Sequence, residues 1–237
     1  MKKVIITGCS KGIGKEITKI LLNNDYSVIG CARNSNKFID ELILKNKNFK
    51  FISANLSNNE IENILNEFEQ NKIYGLINNA GIGLDGILAT LPINDIDKLL
   101  NLNLRVPILL SRAMSRNIIK YKTSGRIINI SSIISESGFK GLSVYSATKA
   151  GLNGLTLSLA RELGKTGTTV NSILPGYIET DMSSKLSEKQ LNQILNRTPL
   201  GKLTSTKDVA ELVLLLLSSK SSSITGQLIK IDSGATV

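Results

Sequence analysis

The chain is 237 residues long, 41% hydrophobic and only 4% aromatic, with a formal net charge of +10 and no histidine. Its length and apolar content fit one globular domain over residues 1–237 and leave no place for a repeat array or a low-complexity segment. With no imidazole available, any proton transfer near neutral pH needs another carrier.

The positive charge suits acidic partners. However, the basic residues are dispersed and form no helix-turn-helix, zinc-finger or aromatic-basic motif, so no nucleic-acid partner is expected. The longest apolar run, Leu212 to Leu217, is far short of the ~20 residues that span a bilayer, and no membrane partner is expected. The first apolar run, Val4-Ile5-Ile6, starts beside the initial methionine and leaves no length for a signal peptide. Cys9 and Cys31 fit no metal spacing, and no metal is expected. Two lone cysteines suit a reducing cytoplasm, each as a small buried residue ending a neighbouring strand.

Strand-like and helix-like segments alternate along the chain. Lys3–Thr7 reads as a buried strand, and Lys15–Asn23 as a helix with Ile13, Ile17, Ile20 and Leu21 on one stripe. Ser27–Cys31 is the next strand, followed by a helix over Lys37–Lys45 and a strand over Phe49–Ser53. Ser57 is predicted to cap a helix carrying Ile61, Ile64, Leu65 and Phe68 at helical spacing. Gly75–Asn78 is a further strand, and Asp95 to Lys120 a long helical stretch in which Pro107 should place a kink or a break. Arg126–Ile130 (strand), Tyr145–Gly164 (helix), Thr168–Leu174 (strand), Ser187–Asn196 and Asp208–Leu217 (helices) and Leu228–Ile231 (strand) complete the pattern. Such alternation predicts an α/β fold, a parallel sheet covered on both faces, with ligands bound beyond the carboxyl ends of the strands.

The first strand runs through Thr7-Gly8-Cys9-Ser10-Lys11-Gly12-Ile13-Gly14 into a helix. Glycines permit a tight turn and close approach of a pyrophosphate, whose charge the helix amides and dipole favour. Gly8, Ser10, Lys11, Gly12, Ile13 and Gly14 are therefore candidate cofactor contacts. The spacing matches neither the common dinucleotide fingerprint nor a triphosphate P-loop. The second strand ends Ala32-Arg33-Asn34, without the carboxylate that NAD-preferring folds place there for the ribose hydroxyls. Arg33 and Lys11 can grip a 2′-phosphate, with roughly 1.5–3 kcal/mol for each charged hydrogen bond. The expected cofactor is NADP(H), although the same two residues also read as ordinary surface cations.

Tyr145-Ser-Ala-Thr-Lys149 puts a phenol and an ammonium on one helix face. A tyrosine with an ordinary pKa of about 10 is a poor acid near neutrality. A lysine beside it favours the phenolate and lowers that pKa. Ser132 can hold a carbonyl oxygen by hydrogen bond. The plainer reading of Tyr145 and Lys149 is a solvated pair on a helix surface.

Taken together, Thr7 to Gly14, Asn78-Asn79-Ala80-Gly81, Asn103, Ser132, Tyr145-x-x-x-Lys149 and Pro175-Gly176 resemble the short-chain dehydrogenase/reductase family over essentially the whole chain. The resemblance implies a Rossmann-type doubly wound sheet of about seven parallel strands and a nicotinamide cofactor. It implies that Asn79, Ala80 and Gly81 flank the cofactor ribose and that Lys149 binds the nicotinamide ribose. It also implies that Asn103 holds a water linking Lys149 to solvent, and that Pro175, Gly176, Ile178 and Thr180 line the nicotinamide end, Ile178 and Thr180 fixing the carboxamide. Asn55-Leu56 stands where relatives have an aspartate against adenine, and Asp232-Ser233-Gly234 replaces Asp-Gly-Gly. A mobile lid is expected over about residues 177–197.

Pro175 to Met182, Pro199 to Thr204 and Thr225-Gly226-Gln227 are similar to bacterial 3-oxoacyl-acyl-carrier-protein reductases. That similarity implies NADPH-dependent reduction of a 3-oxoacyl thioester in fatty-acid synthesis, an acidic carrier protein as partner with Lys122, Arg126 and Lys165 as candidate contacts, and a homo-oligomer, commonly a tetramer. The alternatives are a reductase of a sugar or small ketone and, from a different class, a non-catalytic NADP-binding protein.

Overall fold

The computed structural model describes residues 1–58, 60–178 and 188–237. Seven parallel strands form one sheet in the order β3-β2-β1-β4-β5-β6-β7. They are β1 (Lys2–Thr7), β2 (Tyr26–Ala32), β3 (Phe49–Ser53), β4 (Gly75–Asn78), β5 (Arg126–Ile130), β6 (Thr169–Pro175) and β7 (Leu228–Ile231). The helices between them are α1 (Gly12–Leu22), α2 (Lys37–Lys45), α3 (Glu62–Gln70), α4 (Ile93–Leu100), α5 (Val106–Tyr121), α6 (Ile134–Ser137), α7 (Ser143–Leu163), α8 (Glu188–Asn196) and α9 (Thr206–Leu217).

The strands are continuously apolar because both faces are covered. Side chains alternate between the faces with a period of two. Ile5, Ile29, Leu76, Ile127 and Val170 point to one side and pack with Ile64 and Phe68 of α3, Leu110 and Met114 of α5, and Leu159 of α7. Val4, Ile6, Val28, Ile77, Ile128 and Ile173 point to the other and pack with Ile17 and Leu21 of α1, Ile39 of α2, and Val209 and Val213 of α9. The strand order reverses between β1 and β4, opening a crevice at their carboxyl ends where an open α/β sheet binds its ligand.

Two local expectations are corrected. Ser57 does not cap α3: it lies in a 3₁₀ turn over Leu56–Asn58, where Asn58 N–H returns to the Asn55 carbonyl at 2.9 Å, and α3 begins only after Ile61. The break in the long helical stretch does not fall at Pro107 itself, which sits in the first turn of α5. The break comes just before it, as a π-helical turn over Asn101–Arg105. The short helix α6, after β5, carries no apolar periodicity and has no counterpart in the sequence reading.

Candidate active site

Gly8 and Gly12 take left-handed φ values of 72° and 54°, so the chain can turn back at the end of β1 and enter α1. At Gly14 the Gly8 carbonyl oxygen approaches so closely that a Cβ would lie 2.0 Å from it. Only glycine permits this turn, and it leaves the first amides of α1 free to meet an anion. The turn is held from two sides. Gly8 N–H donates to the Cys31 carbonyl at 2.7 Å, and Asn79 Nδ2 donates to the carbonyls of Thr7 and Gly8 at 2.9 and 3.1 Å. Thr7 Oγ1 accepts from the amides of Asn79 and Ala80 at 3.1 and 3.0 Å. Asn36 Nδ2 donates to the Ser10 carbonyl at 3.0 Å, tying the loop that carries Arg33 to the loop that carries Lys11. Both cations are exposed. Beyond β3, Leu56 is buried and Asn55 Oδ1 is a buried acceptor with no protein donor.

The second group surrounds the start of α7. Asn103 is fully buried; its Oδ1 accepts from Ile82 N–H at 2.9 Å and its Nδ2 donates to the Ile82 carbonyl at 2.8 Å. Gly81 runs so close that a Cβ there would lie 3.2 Å from Asn103 Oδ1 and 3.5 Å from Lys149 Nζ. Lys149 is 4% exposed, and its Nζ donates to the Ile130 carbonyl at 2.8 Å. Burial lowers its pKa to about 8. Tyr145 is half-buried with its hydroxyl hydrogen-bonded to Ser132, and the Lys149 Nζ lies 5.7 Å from its ring centroid. Pro175 and Gly176 complete this end: Gly176 N–H donates to the Ile231 carbonyl at 2.9 Å, and a Cβ on Gly176 would lie 2.6 Å from that of Asp232. Ile178 is buried beside them.

Phenol, hydroxyl and ammonium thus meet at the carboxyl ends of β4, β5 and β6, next to a glycine cradle shaped for a pyrophosphate. The sequence model described as short chain dehydrogenase matches residues 2–191. The chain belongs to the short-chain dehydrogenase family. Among its relatives, the 3-oxoacyl-[acyl-carrier-protein] reductase FabG of Buchnera aphidicola is 39% identical, covering 98% of this chain and 96% of its own length. The enzyme of the same description from Rickettsia prowazekii is 38% identical, covering 98% and 96%. Among solved structures, a 4-hydroxyisoleucine dehydrogenase complexed with NADH superposes with a TM-score of 0.94 at 29% identity, covering 100% of this chain and 99% of the other. A gluconate 5-dehydrogenase homologue from Beutenbergia cavernae with bound NADP has a TM-score of 0.94 at 26% identity, covering 99% and 96%. The chain is an oxidoreductase of a family that works with a nicotinamide dinucleotide.

Most of the residues singled out in this dehydrogenase come together, with two corrections. The Tyr145 pKa is raised, not lowered: burial dominates, and the opposing pull is the hydrogen bond from Ser132 rather than the Lys149 charge. The lysine is turned to the Ile130 carbonyl, and in a low-dielectric site its own charged form is disfavoured. Arg126 is no surface contact. It is 6% exposed and donates to the carbonyls of Gly125 and Gly167. Lys122 and Lys165 are exposed, but they precede β5 and β6 and so lie at the opposite end of the sheet from Tyr145. Thr180 and part of the expected lid, residues 179–187, lie outside the described residues.

Several contributors were missed: Asn36, Ser131, whose Oγ donates to the Lys149 carbonyl at 3.0 Å, Ser135 and Asn153. Asn153 carried a signal, because it continues the Tyr145, Lys149 face by one more step of four. The others are serines and an asparagine in a loop, at a strand end or in the short helix α6, where side chains of this kind commonly bind backbone.

Proposed function

We propose that this short-chain dehydrogenase reduces the ketone of a 3-oxoacyl thioester borne on acyl carrier protein to the 3-hydroxyacyl product, using NADPH in the reducing cytoplasm. The observation that carries the reading is the meeting of Ser132, Tyr145 and Lys149 beside Gly81 and Asn103. Two features fit the dinucleotide. A cradle closed to any Cβ at Gly14 suits a pyrophosphate, and the unpartnered Asn55 Oδ1 suits the amino group of adenine, the donor it lacks. When bound, the reduced nicotinamide supplies the hydride. Arg33 and Lys11 hold the 2′-phosphate, which is why NADPH rather than NADH is proposed.

The residues of the chain supply the rest. Ser132 O–H donates to the ketone oxygen and orients it. Tyr145 O–H protonates that oxygen as it becomes an alkoxide, a step worth typically ~10²–10⁴-fold. The raised pKa keeps the phenol protonated at neutral pH, as a proton donor must be. Lys149 holds the nicotinamide ribose, and Ile178 and Thr180 the carboxamide. The Asn103 side chain is engaged with Ile82, so the expected water falls to its backbone carbonyl. Cys9 and Cys31 support the reducing compartment: both are free thiols, packed on opposite faces of the sheet.

The test is oxidation of NADPH, followed by its absorbance, with acetoacetyl carrier protein set beside free sugars, hydroxy-acid precursors and small ketones. The expected result is preferred turnover of the carrier-linked ketone. Tyr145→Phe should lower kcat by ~100-fold or more with little change in NADPH affinity. Equal or better turnover of a free sugar or ketone moves the substrate to that class, and undiminished turnover by Tyr145→Phe overturns the mechanism.

A further inference from the structure

We infer that Asn153, acting through Ser135, is a positioning residue that holds Ser132 in place against Tyr145. The inference rests on the reading above for the role of Ser132, and on a continuous run of hydrogen bonds for its substance. The Ser132 carbonyl accepts from Ser135 Oγ at 2.6 Å and from Ser135 N–H at 3.0 Å. A hydroxyl has one proton, so Ser135 Oγ, having given it to Ser132, is left as an acceptor. Asn153 Nδ2 donates to it at 2.9 Å. On the other side Asn153 Oδ1 accepts from Ser172 Oγ at 3.2 Å, and that hydroxyl also lies 3.3 Å from the Asn129 carbonyl.

The run therefore crosses four elements, from β6 through α7 and the α6 turn to the end of β5. Asn153 is 7% exposed and Ser172 fully buried, so water does not compete for the bond between them. Asparagine is suited to the middle of the run because one short side chain offers a donor to one neighbour and an acceptor to the other. Leucine has neither group. Aspartate has no donor, and it would draw the Ser135 proton toward itself and away from the Ser132 carbonyl. The same face of α7 thus presents Tyr145, Lys149 and Asn153: the proton donor, the cation and the anchor of the residue that meets the donor.

Misplacing an orienting hydroxyl affects the chemical step more than binding. It also removes the one hydrogen bond that opposes the raised Tyr145 pKa. The experiment compares Asn153→Leu, Asn153→Asp, Ser135→Ala and the double variant Ser135→Ala/Asn153→Leu. Each is assayed for kcat and KM, and by ultraviolet titration of the Tyr145 phenol against a Tyr145→Phe background. The expected result is a kcat lower by about tenfold with KM for NADPH within about twofold, and a Tyr145 titration displaced to higher pH. The double variant should be no worse than the worse single, since both break one run. Unchanged kcat and an unmoved titration in folded Ser135→Ala and Asn153→Leu overturn the inference, as do losses that simply add. Should the parent protein turn over no ketone, the functional reading falls while the phenol titration still decides the link from Asn153 to Ser132.

Discussion

Lys149 carries its ammonium into a site only 4% exposed, where the Ile130 carbonyl accepts one proton at 2.8 Å and burial brings the pKa from 10.5 to about 8. A depressed lysine pKa means that the folded state holds fewer protons than the unfolded state between those two values. By linkage, stability rises with pH across that window: the charge penalises the fold fully below about pH 8 and is relieved as the amine deprotonates. At about 1.4 kcal/mol per unit the penalty is about 3 kcal/mol. Urea unfolding of the parent and of Lys149→Met should therefore differ in pH dependence, the parent gaining on the variant from ~pH 7.5 to ~pH 10. A constant difference over that range would exclude the depressed pKa. Arg33 poses the second question at this scale. Arg33→Asp should lower the NADPH-over-NADH preference by about tenfold or more, the loss of one charged hydrogen bond with repulsion added. Competition of the two cofactors in one assay reads it directly.

At the scale of single elements, stability and site are separable. Helix α9 starts with a complete capping box: Ser205 Oγ accepts from Asp208 N–H at 3.1 Å, and the Asp208 carboxylate accepts from Ser205 N–H at 2.8 Å. The helix packs on the face of the sheet shared with α1, through Val209, Val213 and Leu216. Ser205→Ala should lower unfolding free energy by about 1 kcal/mol and leave NADPH affinity unchanged, as measured by denaturant titration beside cofactor fluorescence. The turn before α1 behaves otherwise. A Cβ at Gly14 would lie 2.0 Å from the Gly8 carbonyl, so cofactor site and helix start are one structure there. The helical stretch preceding β5 shows how an element can be legible in type and not in shape. Its apolar spacing and Pro107 were readable, but the π turn at Asn101–Arg105 arises where Asn103 is drawn to the backbone of Ile82, a residue remote in sequence.

For the molecule as a whole, the net charge of +10 is spread over both ends of the sheet, and Lys45, Lys47, Lys72, Lys120 and Lys220 are exposed in segments that precede the strands. Lys11, Arg33, Lys140, Arg197 and Lys202 are exposed in segments at the carboxyl ends of the strands, the end that holds Tyr145. The acidic carrier proposed above would be drawn to that end by long-range attraction, which salt screens within about 8 Å at physiological ionic strength. Raising salt from ~50 to ~500 mM should lower kcat/KM for carrier-linked acetoacetate severalfold while leaving a free thioester within about twofold. Equal salt response of the two substrates would remove the charge from the account. Lys122 and Lys165 lie at the far end of the same sheet, away from the Tyr145 of their own chain.

Much of this protein was legible in one dimension. Sheet and helix alternation follows from short unbroken apolar runs for the strands and apolar spacings of three and four for the helices. The pairing of Tyr145 with Lys149 follows from helix geometry, and the cradle from glycines after a strand. These are local properties, decided by neighbours in the chain. The acidity of the phenol, the direction of the Lys149 ammonium, the burial of Arg126 and the run from Ser172 to Ser132 were decided only by the folded molecule. Each depends on how much water remains and on which distant carbonyl or amide arrives, and the order of residues along a strand or helix contains neither.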